Sequence, residues 1–196
     1  MFKYEKFLQR PIKISNPNPR LATVVMTQYG GPNGELGASL RYLSQRYTMP
    51  DDVTKGLLTD IGTEELGHLE MVGTLVTQLS NGTAPDEWNK MNTFEYYADN
   101  GISVFPQSSQ GSPFSSASIA VTGDPLTNLY EDLAAEQKAR AVYDNILKLS
   151  DDPDVNDVIK FLRQREITHF QRFGEALNNL QAKACEKNKF YMGSKK

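Results

Sequence analysis

Two histidines carry most of the chemical information in this sequence, because there are only two. Each stands three residues after a glutamate, as Glu65-x-x-His68 and Glu166-x-x-His169. On a helix, positions i and i+3 share a face, so each pair offers one carboxylate and one imidazole in the same direction. A single pair of this kind is more often a solvated surface pair than a ligand set. Here the pattern is duplicated. Glu35 precedes Glu65 by thirty residues and Glu136 precedes Glu166 by thirty; an offset of 101 carries Glu35, Tyr42, Glu65 and His68 onto Glu136, Tyr143, Glu166 and His169. The chemistry this permits is ligation of metal ions by four carboxylates and two imidazoles, a set suited to Mn or Fe.

The elements that must position these groups follow from hydrophobic spacing. Leu58, Ile61, Glu65, His68, Val72, Leu75 and Leu79 recur at helical intervals, as do Leu126, Leu129, Leu133, Glu136, Ala139, Tyr143 and Leu147. Val155, Ile159, Leu162, Glu166, His169, Phe173, Leu177 and Leu180 mark a further face. Each apolar stripe is interrupted at its middle by carboxylate or imidazole, groups that are costly to bury without partners. Gly123-Asp124-Pro125 and Ser150-Asp151-Asp152-Pro153 are helix starts, with Asp to cap free N–H groups and Pro at the first helical position. The spacing predicts helices over 35–46, 53–80, 125–149 and 154–180, with short connections that set neighbours antiparallel. Residues 20–29 fit either a separate segment or an earlier part of the first helix, kinked at the glycines of 30–34.

The expected architecture is all-α: a four-helix bundle with a long crossover connection over 81–122, of which 86–99 could form a short helix. An extended N-terminal arm over 1–19 and a solvated C-terminal tail over 183–196 flank a single domain of 196 residues. Two helical hairpins related by a pseudo-twofold axis would bring the six polar groups together. That is the ligand set of ferritin-like dinuclear carboxylate proteins, one Glu from each of two helices and Glu-x-x-His from each of the others. Tyr42 and Tyr143 could hydrogen-bond a ligand carboxylate or serve as ordinary core tyrosines. Glu64 and Glu70 neighbour the first motif, and Glu70 reads as a surface group.

Composition excludes other classes. A net charge of −3 gives no basic footprint for nucleic acid or anionic lipid. Cys185 is the one cysteine and cannot form an internal disulfide. No run of apolar residues predicts a membrane span and no leader pattern is recognisable, so a soluble, cytoplasmic chain is expected.

The runs Gly34-Glu-Leu-Gly-Ala-Ser-Leu-Arg-Tyr42, Thr63-Glu-Glu-Leu-Gly-His-Leu-Glu70, Ala134-Ala-Glu-Gln-Lys-Ala-Arg140 and Arg165-Glu-Ile-Thr-His-Phe170 resemble the manganese catalases, with the spore-coat branch most similar. The resemblance covers nearly the whole chain. It implies a non-haem enzyme that converts hydrogen peroxide to water and dioxygen at two manganese ions per chain, with iron as an alternative occupant. By the same resemblance Glu65 bridges the ions, Glu35 and His68 complete one, and Glu136 and His169 complete the other. Glu166 then corresponds to an outer carboxylate that handles the peroxide proton, and Tyr42 to the tyrosine beside the cluster. The resemblance also implies a homo-oligomer, a hexamer, and association with other spore-coat proteins. Two departures stand out: Ala135 occupies a position where some members carry a cation, and the chain lacks the long C-terminal extension of typical members. The alternatives are a spore-coat structural protein stabilised by its metal site and a di-iron oxidase or ferroxidase.

Overall fold

The computed structural model describes residues 8–84, 86, 87 and 98–193. The helices that organise the described residues are α1 (Pro19–Val25), α2 (Thr27–Gly30), α3 (Glu35–Gln45), α4 (Asp52–Ser80), α5 (Pro125–Leu149) and α6 (Pro153–Gly193). No β-strand occurs among the described residues; Gln107 and Pro113 make an isolated antiparallel bridge in the crossover.

Each long helix begins where its sequence supplies a cap. Asp51 accepts from Thr54 N at 2.8 Å to start α4, and Asp124 accepts from Thr127 N at 2.7 Å ahead of Pro125 to start α5. Asp152 accepts from Asp154 N at 2.8 Å beside Pro153 at the start of α6. The four expected bundle helices are therefore present, and α3, α4 and α5 lie within a few residues of their expected bounds. Residues 20–29 resolve into α1 and α2, two short helices ahead of the Gly30–Gly34 break, and α1, like α3, packs on α4.

The C-terminal helix departs from expectation. It runs past 180 to Gly193, through residues expected to form a tail. Residues 181–187 hold no Gly or Pro, and Ala, Lys, Gln and Glu there are good helix formers, so nothing local stops the helix. The short helix considered for 86–99 falls mostly outside the described residues.

The core is divided. One apolar cluster gathers Leu21, Val25, Met71, Leu75, Leu79, Ile146, Ile159 and Leu162, and a second gathers Leu58, Ile61, Leu129, Phe173, Leu177 and Leu180. Along α4 the two clusters fall on either side of Glu65 and His68, and along α6 on either side of Glu166 and His169. Two dry halves thus bracket a polar layer. Close approach of α3 to α4 near that layer depends on Gly62, where a Cβ would lie 2.8 Å from Leu43 Cγ.

The crossover folds back on the first half. Arg41, buried on α3, donates to the carbonyls of Ile119 at 2.9 Å and Ser118 at 2.7 Å. Gly30 touches the backbone of Pro106 and Gln107 so closely that no side chain could fit there. At the other surface the N-terminal arm lies across α4 and α6. Ile14 N and Ile12 O both bond the Gln78 side chain, and Arg10 forms a two-point pair with Asp157 at 2.6 Å.

Candidate metal centre

All six ligand-type side chains converge in the polar layer, and all are shielded from solvent: Glu35, Glu136 and Glu166 are 1% exposed, and Glu65, His68 and His169 are 0% exposed. Their donor atoms form two groups, Glu35–Glu65–His68–Glu166 and Glu65–Glu136–Glu166–His169, each with its atoms within 4.8 Å of one another. Glu65 and Glu166 belong to both groups. The pseudo-twofold relation in the sequence is therefore a spatial one.

Both imidazoles turn Nδ1 inward. Nδ1 of His68 lies 2.8 Å from Glu65 Oε2, and Nδ1 of His169 lies 2.7 Å from Glu65 Oε1 and 3.6 Å from Glu136 Oε2. The rings are nearly parallel, 20° apart, with centroids 5.6 Å from each other.

Electrostatics show what the layer lacks. Burial, then the charge of Glu65, holds the Glu35 carboxyl well above the usual carboxylate range. Burial and the charges of Glu136, Glu35 and Glu65 do the same to Glu166. Burial opposes protonation of His169, but the charge of Glu65 and the nearby carboxylates of Glu136 and Glu64 overcome it and push this imidazole up to about 12. Burial alone would raise Glu65; the two imidazoles beside it pull it well below its ordinary value. Without cations this layer must gather protons to offset its negative charge. Glu65 Oε1, Glu136 Oε2, Glu166 Oε1 and His169 Nδ1 are buried yet make no hydrogen bond. Crowded, inward-facing donor atoms without hydrogen-bond partners fit divalent cations, which would replace those protons.

The tyrosines obey the same symmetry. Tyr42 donates to Glu136, and Tyr143 donates to Glu35, so each tyrosine bonds the carboxylate of the opposite half. Both rings are buried.

Three polar groups at the centre are given no role by sequence reasoning, although Glu64 is noted as a neighbour of the first motif. Glu64 lies beneath both histidines, with Oε2 3.0 Å from His169 Nε2 and Oε1 3.5 Å from His68 Nε2. Arg165 donates to Glu64 at 2.7 and 3.2 Å. Gln9, from the arm, contacts Glu64 at 3.0 Å and His68 Nε2 at 3.2 Å. The position of Glu64 next to Glu65 was the available signal, but adjacent helical residues normally face apart. Its reach comes from a long side chain and from two histidines that share one outer edge. Asp132 is another such group. It lies one turn before Glu136 on α5, wholly buried, and neither of its oxygens is hydrogen-bonded; Gln45, also wholly buried, is its neighbour from α3. Burial drives the Asp132 carboxyl well above its ordinary range.

Fold and centre together define a ferritin-like bundle with a buried carboxylate–histidine layer that could hold metal ions. The sequence matches the family described as manganese containing catalase over residues 1–189, and the chain belongs to that family. It is 48% identical to Protein CotJC of Bacillus subtilis (strain 168) over 190 residues, covering 97% of this chain and 100% of the relative. It is 36% identical to a probable manganese catalase of Clostridium acetobutylicum, covering 96% of this chain and 84% of the relative. Among solved structures, the crystal structure of KatB, a manganese catalase from Anabaena PCC7120, superimposes with a TM-score of 0.83 at 32% identity, over 92% of this chain and 81% of that one. No described helix is long and apolar enough to cross a membrane.

Proposed function

We propose that this protein disproportionates hydrogen peroxide, turning two molecules into two of water and one of dioxygen, at a pair of manganese ions. The observation that carries the reading is the pair of four-residue ligand groups sharing Glu65 and Glu166, in a chain of the manganese catalase family. Glu35 and His68 would hold one ion, Glu136 and His169 the other, and Glu65 both. When bound, two manganese ions supply a store from which two electrons can be taken and to which two can be returned.

The chain's own residues do the rest. By family resemblance Glu166, which belongs to both ligand groups, is the carboxylate that would hold and return the peroxide proton. Tyr42 holds Glu136 by a hydrogen bond and stands beside the reacting region. The two apolar clusters keep bulk water away and restrict entry to small molecules. The protein would act as a homo-oligomer, a hexamer by family resemblance.

A second reading keeps the ions but not the turnover: a spore-coat structural protein, assembled with other coat proteins and stabilised by its metal. The similarity to Protein CotJC and the uncharged Ala135 just before Glu136 favour it. Metal analysis paired with oxygen release from peroxide separates the two. Manganese with oxygen release supports the catalase, and manganese without it supports the structural reading.

A further inference from the structure

The outer edges of the two histidines converge on a single carboxylate. His68 comes from α4 and His169 from α6, yet Nε2 of each faces Glu64, at 3.5 and 3.0 Å. The Glu64 side chain is 12% exposed, whereas both histidine side chains are fully covered. This edge is thus a shallow side of the centre. Two other segments close it. Arg165, the residue before Glu166, grips both Glu64 oxygens, and Gln9 of the N-terminal arm bonds Glu64 through its amide nitrogen and faces His68 through its amide oxygen.

We infer that Glu64, held by Arg165 and Gln9, is a positioning residue that fixes both imidazoles with Nδ1 toward the metals, and that the N-terminal arm thereby governs how tightly the centre retains its ions. The physical basis is the two-ended character of imidazole. A ring that donates from Nε2 to a carboxylate presents its Nδ1 lone pair as a ligand, and the outer carboxylate strengthens that ligand. One carboxylate has lone pairs enough to serve both rings and still accept from Arg165 and Gln9. The arm is also fastened nearby by other anchors, including Arg10 to Asp157 and Ser15 N to Asp154 at 3.0 Å. Freeing Gln9 leaves those anchors in place and removes only its contacts with Glu64 and His68.

The inference rests on the metal-binding reading of the centre but not on catalase activity. The test is loss of manganese from the loaded protein to an excess of chelator, followed by time-resolved metal analysis, for wild type, Gln9→Ala, Glu64→Gln and Glu64→Asp. A glutamine offers one acceptor oxygen and cannot serve both rings, so Glu64→Gln should release metal about 10–100-fold faster, the range for losing an outer partner of a ligand. Gln9→Ala should release it several-fold faster with an unchanged melting temperature of the metal-free protein, which a merely structural contact would not produce. Glu64→Asp should recover part of the retention. Release at the wild-type rate from both Gln9→Ala and Glu64→Gln would overturn the inference while leaving the metal centre intact. A wild type that takes up no divalent ion would overturn the reading of the centre itself.

Discussion

Tyr42 on α3 donates its hydroxyl proton to Glu136 on α5, across the seam between the two halves of the molecule. Its counterpart by the 101-residue offset, Tyr143, makes the reciprocal bond to Glu35. Each hydroxyl therefore ties a carboxylate of one half to the helix of the other, in a layer shielded from solvent. The bonds are equivalent, but the proposed roles are not. Tyr42→Phe and Tyr143→Phe should each weaken metal retention by about 10–100-fold, as expected for an outer partner of a ligand. Only Tyr42→Phe should also lower oxygen release per bound manganese. Competition with a chelator and a turnover assay normalised to metal content check both. An equal fall per metal in the two variants would make both tyrosines structural.

Glu65 contacts both histidines and belongs to both ligand groups, while Glu35 belongs to one. Glu65→Ala should lose both ions, and Glu35→Ala should lose one more readily than the other. Metal-to-protein ratios after dialysis read this directly. Wild-type metal content in Glu65→Ala would contradict the bridging assignment.

Much of this was legible in the sequence, for a physical reason. Buried carboxylate and imidazole within an apolar helical stripe must be partnered, so Glu35, Glu65, His68, Glu136, Glu166 and His169 announce themselves by where they sit. Asp124 and Asp152 likewise mark helix starts because capping is local. Glu64 and Gln9 were not legible. Their role comes from an arm folded over α4 from 55 and 59 residues away in sequence, and no local pattern encodes that contact. The length of α6 was missed because helix ends are read from breakers, and this one runs beyond its buried stripe without one. The spatial equivalence of Glu65 and Glu166 follows from the repeat, whereas the different roles assigned to them come from family resemblance alone.

Asp132 gives a pH signature. Its carboxyl is raised by burial, so the folded state holds this proton more tightly than the unfolded chain. Such a group contributes stability below the unfolded value, near pH 4, and that contribution is lost as pH rises toward the folded value. Asp132→Asn removes the penalty of a buried, unbonded acid and lets an amide face Gln45. It should stabilise the protein at pH 7 by about 1–3 kcal/mol, with the advantage shrinking toward pH 4. Denaturant titrations at several pH values check this. An advantage that grows on acidification would contradict it.

Glu166 separates proton handling from ligation. Glu166→Gln keeps the size of the side chain but cannot accept the peroxide proton. Metal should remain and turnover should fall by about 10²-fold or more, the scale for a positioned acid–base group. His169→Ala should instead lose metal. If Glu166→Gln sheds an ion as His169→Ala does, Glu166 is itself a ligand and the centre is as symmetric as its sequence.

The most direct test takes the wild-type protein, produced with manganese and iron both available, and measures bound metal and oxygen evolution from hydrogen peroxide on the same sample. About two manganese ions per chain, set by two carboxylate–histidine groups, with dioxygen released at one molecule per two of peroxide consumed, is the predicted result. Two bound manganese ions with no oxygen release would contradict the catalase and leave a metal-stabilised structural protein.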